Sequence, residues 1–151
     1  MARARWHREI HTERTERMAL VGLDTSLFIY LLEDHPSYAP KAARIFDALR
    51  KGKHVGLFSA LGMIEILTGP KKQGRDDLAA QYEHHLRHFP NLSIVGLNER
   101  IVWIASDLRA KYGIKTPDAI HLATSIDAGA RTFITNDKSL RKVKEIRVVL
   151  L

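Results

Sequence analysis

The sequence predicts an α/β domain built on a parallel sheet, and three observations carry that expectation. From Met18 onward, short apolar runs rich in β-branched residues alternate with stretches of helical periodicity, as parallel strands joined by crossover helices do. Those runs are apolar at nearly every position, which suits strands covered on both faces. At 151 residues the chain has the length of one ordinary domain and can enclose a core without staples.

The elements follow in order. A first strand, Leu20 to Asp24, ends on a carboxylate, and Thr25 or Ser26 then caps the helix SLFIYLLE. Ala42, Ile45, Phe46 and Leu49 recur at i, i+3, i+4 and i+7, a core-facing helix that Gly52 ends. The second strand, His54 to Phe58, runs into Ser59, the N-cap of the nearly all-apolar helix SALGMIEILTG. GPKKQGR, residues 69 to 75, reads as an exposed basic loop. Asp76 or Asp77 caps a helix reaching about Phe89, with Leu78, Tyr82 and Leu86 on its apolar side. A third strand spans Ser93 to Leu97; Asn98 then caps a helix whose stripe is Ile101, Ile104, Ala105 and Leu108 and whose end is Gly113. Thr116 is the expected N-cap of the next helix, Pro117 its first residue and Asp118 its second, with Ala119, Leu122, Ala123 and Ile126 buried. Strands at Arg131 to Thr135 and Ile146 to Leu150 complete the sheet, the last suited to an edge.

Residues 1 to 17 differ from the rest. After Met1, Trp6 and Ile10 are their only large apolar residues, and five arginines against three glutamates give +2 of the formal +7, leaving +5 for residues 18 to 151. They read as a charged, flexible extension, a helical arm for a partner, or a product of a misplaced translation start. The absence of cysteine excludes disulfides and thiolate zinc and is compatible with a reducing cytoplasm. No apolar run approaches the roughly 20 residues that span a bilayer. A cytoplasmic protein is therefore expected, and its positive charge serves either solubility or attraction to a polyanion.

Four acidic residues stand out by position. Asp24 and Asp137 end strand-like runs, and in parallel α/β sheets ligands collect beyond the carboxyl ends of the strands. Asp118 sits in the first turn of a helix, where an acid favours the helix dipole by roughly 0.3–1 kcal/mol whether or not it has another task. Glu65 is the only charge in an apolar helix; buried there, it has to be paired, protonated or bound to a cation, and a salt bridge to a core-facing arginine is the plain alternative.

LDTS at 23 to 26, the S-x5-E of Ser59 to Glu65, TPDAIHLATS at 116 to 125 and TND at 135 to 137 together resemble the PIN domain family, in its VapC toxin type, from Ala19 to Leu151. The N-terminal extension and Gly62, where such proteins often carry a hydroxyl, depart from the pattern without touching a carboxylate. The resemblance implies a five-stranded parallel sheet of order 3-2-1-4-5 flanked by helices, which sets the first and fourth strands side by side. It implies an endoribonuclease whose catalytic set is Asp24, Glu65, Asp118 and Asp137, supported by Thr25, Ser26, Thr135 and Asn136. Asp24, Asp118 and Asp137 would be the metal ligands, direct or through water, and Glu65 would orient water or hold a second ion. Further implications are an RNA substrate, a small antitoxin protein as partner and a homodimer.

Physical reasoning supports a cation beside the resemblance. Two carboxylates about 5 Å apart repel by roughly 3 kcal/mol at an effective dielectric near 20, so four ionised in one hollow need compensation. Oxygen donors suit Mg²⁺ or Mn²⁺, which would activate a water for in-line attack on a phosphodiester and leave a 5'-phosphate. Lys115, Lys138, Lys71, Lys72 and Arg75 are candidate phosphate contacts, as are Arg141 and Lys142, with solvated charge the equal alternative. His84 and His88, four apart, read as a solvated helix face rather than a metal site, and His121 as a packing or rim residue. Two rival functions are a receiver-like phospho-switch, whose acidic pair at the first strand is absent, and a non-catalytic RNA-binding or antitoxin-binding module on the same fold.

Overall fold

The computed structural model describes residues 19–151; the extension read over residues 1 to 17 lies outside the described residues. Five strands, β1 (Ala19–Leu23), β2 (His54–Ser59), β3 (Leu92–Val95), β4 (Thr132–Thr135) and β5 (Arg147–Leu150), form one wholly parallel sheet of order β3-β2-β1-β4-β5. Around it lie α1 (Thr25–Leu32), α2 (Ala39–Arg50), α3 (Ala60–Lys72), α4 (Asp76–Arg87), α5 (Glu99–Tyr112) and α6 (Thr116–Asp127), with a short 3-10 helix at Lys138–Lys142 before β5. Among the described residues no helix is long and apolar enough to cross a membrane.

Successive strand residues point to opposite faces, so the apolar runs feed two cores. Val21, Leu23 and Phe58 pack against α1, α2, α3 and α4, while Leu57 and Phe133 pack against α5 and α6. Phe28 of α1 is 1% exposed and lies between Phe46 and Phe58, with ring centroids 4.9 and 4.0 Å away. Burying one such ring contributes about 1.5–3 kcal/mol, and this one pins α1 to the sheet. On the other face Gly22 lets α6 come close, because a Cβ there would collide with the Ser125 side chain and lie 2.9 Å from the Phe133 ring.

Several boundaries differ from expectation. α3 does not stop at Gly69 but runs through Pro70 to Lys72, so the basic loop is reduced to residues 73–75. Pro70 is buried; its packing outweighs the hydrogen bond that a proline cannot donate. Neither Asp76 nor Asp77 caps α4: both lie in its first turn, Arg75 is the cap position, and the helix ends at Arg87. Thr116 is the first residue of α6 and Lys115 precedes it as an N-cap without a side-chain bond. Asn98 and Ser59 do cap α5 and α3, accepting from Ile101 N at 2.9 Å and Leu61 N at 3.2 Å. Gly52 and Gly113 take the left-handed conformation their positions require.

Candidate functional site

Because β1 and β4 are neighbours, with Leu23 opposite Ile134, their ends deliver Asp24 and Asp137 to one rim. Asp24 extends the pairing by one bond, its N–H donating to Ile134 O at 3.0 Å. Its carboxylate accepts from Thr25 N at Oδ1 (2.8 Å) and from Thr135 Oγ1 at Oδ2 (2.6 Å). Asp24 itself therefore caps α1, in place of the expected Thr25 or Ser26. Thr135, fully buried, also accepts from Asp137 N at 3.0 Å, so one hydroxyl ties both strand-end acids together. Asp137 in turn caps the 3-10 helix, its Oδ1 accepting from Ser139 N (2.9 Å) and Ser139 Oγ (2.7 Å). Asn136 between them donates to Tyr30 Oη at 2.9 Å. The Ser26 hydroxyl holds none of these carboxylates and has no partner among the described residues.

Asp118 is half-buried in the first turn of α6. Burial pushes its carboxyl above the usual range first, and the negative charges of Asp24 and Asp137 push it further; His121 opposes the shift and Glu65 adds to it. Asp24, Asp137 and Glu65 thus all lie within electrostatic reach of Asp118.

Glu65 departs from expectation. It is not a buried carboxylate: its side chain is 40% exposed on α3, and among the described residues no arginine pairs with it. Instead its Oε1 meets Nε2 of His121 at 3.2 Å, and the same Nε2 lies 3.0 Å from Thr25 Oγ1. His121 is 3% exposed, and its Nδ1 has no hydrogen-bond partner among the described residues. Gly62 makes the approach possible: a Cβ there would run into the Phe58 ring and come within 2.9 Å of Thr25 Oγ1. Sequence reasoning missed His121 as part of this site, although a lone histidine one turn beyond Asp118, amid small and apolar residues, was a signal.

Among the described residues no three His, Asp or Glu side chains are poised around a single point as they stand. The donor chemistry still fits a hard cation. Mg²⁺ needs one or two carboxylates, completing its shell with water and substrate phosphate. Asp118 and Oδ2 of Asp137 accept no hydrogen bond from the described residues, and each Asp24 oxygen keeps a second lone pair. His84 of α4 and His88, which follows the helix, have ring centroids 4.2 Å apart, but both are exposed and lack a third ligand among the described residues.

Of the candidate cations, Lys115 and Lys138 are exposed and flank Asp118 and Asp137 in the chain. Lys71 and Lys72 form the last turn of α3, six residues or more beyond Glu65, which is about 9 Å along a helix. Arg75 is committed to Asp77 through paired bonds of 3.0 and 3.1 Å. Arg141 and Lys142 are exposed on the 3-10 helix.

Three comparisons bear on this arrangement. The model of the PIN domain family matches residues 21–146. No curated protein matches the chain in sequence. Among solved structures the chain is similar to VapBC2 from Rickettsia felis bound to a DNA fragment from its promoter, at 16% identity and a TM-score of 0.71 over 87% of this chain and 98% of that one. It is also similar to a toxin–antitoxin complex from Klebsiella pneumoniae (24% identity, TM-score 0.65, 87% and 95%) and to VapBC-1 from nontypeable Haemophilus influenzae (19%, 0.65, 86% and 96%). Likeness at such identities speaks for the fold alone.

Proposed function

The chain belongs to the PIN domain family, and from that premise we propose that it is a divalent-cation-dependent endoribonuclease acting as the toxin of a type II toxin–antitoxin pair. The observation that carries this reading is the convergence of Asp24, Asp137 and Glu65, from separate elements, on Asp118, whose carboxyl is pushed above its usual range first by burial and then by their charges. Such a gathering of like charge disfavours the fold unless something positive uses it.

Asp24, Asp118 and Asp137 are the ligands in this reading, for Mg²⁺ or Mn²⁺. When bound, the cation supplies a water of lowered pKa and neutralises charge on the phosphodiester. The chain contributes position. Thr135 fixes Asp24 and the backbone of Asp137 relative to each other, and Ser139 leaves Oδ2 of Asp137 free to face the rim. Glu65, exposed and held by its hydrogen bond to His121, orients the attacking water or a second ion. Lys115 and Lys138, both exposed and close in the chain to Asp118 and Asp137, would contact RNA phosphates.

A small antitoxin suits the cavity of about 210 Å³ beside Glu65, which Ile29, Leu32, Ile66, Pro70 and Tyr82 also line. The Klebsiella pneumoniae structure named above is a toxin–antitoxin complex, which supports the same kind of partner here.

Purified protein and a mixed-sequence RNA test the reading. Cleavage in Mg²⁺ or Mn²⁺, stopped by EDTA and reduced at least about 100-fold in Asp24→Asn and Asp118→Asn, is the expected result. Cation-independent RNA binding without cleavage would identify a non-catalytic module instead.

A further inference from the structure

We propose that His121 is a positioning residue: its Nε2–H holds Glu65 at the acidic rim and ties α3 to the first turn of α1. Nε2 has two oxygen neighbours, Glu65 Oε1 at 3.2 Å and Thr25 Oγ1 at 3.0 Å, whereas Nδ1 has none among the described residues. A carboxylate only accepts, so the contact with Glu65 is attractive when Nε2 carries the hydrogen. The opposite tautomer is disfavoured twice: it would turn a bare lone pair toward the carboxylate and leave a buried N–H on Nδ1 without an acceptor. Thr25 Oγ1 accepts from the same N–H in a three-centre bond.

The ring cannot swing away to escape this role. It is 3% exposed and stacks on Phe58, with centroids 6.0 Å apart and planes 21° apart. Gly62 brings α3 against Phe58 and Thr25, and Glu65 lies less than one turn further along that helix. Without the clamp, an exposed glutamate has three free side-chain torsions and no other hydrogen-bond partner among the described residues. Thr25 follows Asp24, whose Oδ1 caps its N–H, so the clamp sets Glu65 in register with a proposed cation ligand. Partners of this kind matter to a metal site because they hold its carboxylates in place.

The tautomer and the clamp stand on geometry; their effect on cleavage rests on the ribonuclease reading, and the two are tested separately. Long-range 1H–15N spectra of the metal-free, full-length protein should show a hydrogen on Nε2 of His121. Glu65→Ala, on an exposed position, should shift the Nε2 resonance without unfolding the protein. An Nε2 without a hydrogen, or an Nε2 signal indifferent to Glu65→Ala, overturns the clamp.

In RNA cleavage, His121→Leu should lower kcat by about 10–100-fold while KM moves less than about threefold. His121→Gln, which keeps an N–H in a similar place, should recover activity to within about fivefold, and His121→Leu should cost less than about twofold more in a Glu65→Ala background. Equal losses for Leu and Gln, or an undiminished loss in the Glu65→Ala background, refute a positioning role. If the wild-type protein cuts no RNA with any cation, the ribonuclease reading falls and the spectra alone decide the clamp.

Discussion

At Asp118 the conflict between stability and function is most direct. Its carboxyl is pushed above the usual range by burial and then by Asp24 and Asp137. The folded protein therefore holds this proton more tightly than the unfolded chain, whose aspartates titrate near 4. Stability from this group is complete below that pH and is lost as pH rises through the raised folded value. In metal-free protein, Asp118→Asn should accordingly raise the melting temperature at pH 7, and the gain should vanish below about pH 4. Thermal scans across pH measure it; an Asn variant less stable than wild type at pH 7 would contradict the electrostatic account. Thr135→Val should show the opposite balance. It removes the buried hydroxyl shared by Asp24 and Asp137 and should cost about 1–3 kcal/mol in urea denaturation, where Thr135→Ser costs less. The acids themselves were legible in the sequence because each stood at the end or in the first turns of a recognisable element. His121 was not, since its partners lie 96 and 56 residues away and no local spacing encodes such contacts.

Elements were readable where one local signal dominated. Asn98 and Ser59 cap their helices as their side chains dictate, and the i, i+3, i+4 stripes of α2 and α5 face the cores. The failures came where tertiary packing overruled propensity. Gly69 and Pro70 suggested a loop, yet burial of Pro70 beside Ile66 and Tyr82 carries α3 on to Lys72. Glu65 looked buried because its neighbours are apolar, but Ile64 beside it is itself 63% exposed, so that side of α3 faces outward. Gly62 governs how α3 sits. Gly62→Ala should destabilise by about 1–3 kcal/mol through overpacking against Phe58 and Thr25, despite the better helix propensity of alanine. It should also weaken RNA cleavage by moving Glu65. Urea unfolding and an activity assay check both, and a stabilised, fully active variant would show that the contact is not tight.

For the whole molecule, the parallel class followed from unbroken apolar strands, whereas the order β3-β2-β1-β4-β5 did not. Periodicity says which residues are buried and not which strands touch; the motif resemblance supplied the order. That order makes the site, because it sets β1 beside β4 and brings acids separated by as many as 113 positions in the chain to one rim. The described domain is otherwise basic, so carboxylates gathered at a single rim form a local exception to its charge. Mn²⁺ titrated into 15N-labelled wild-type protein tests most directly whether that rim holds a cation, since a paramagnetic ion broadens only the amides near it. The account predicts saturable broadening centred on Asp24, Glu65, Asp118 and Asp137 and abolished in Asp24→Asn. Broadening centred on His84 and His88, or spread evenly over the surface, would contradict it.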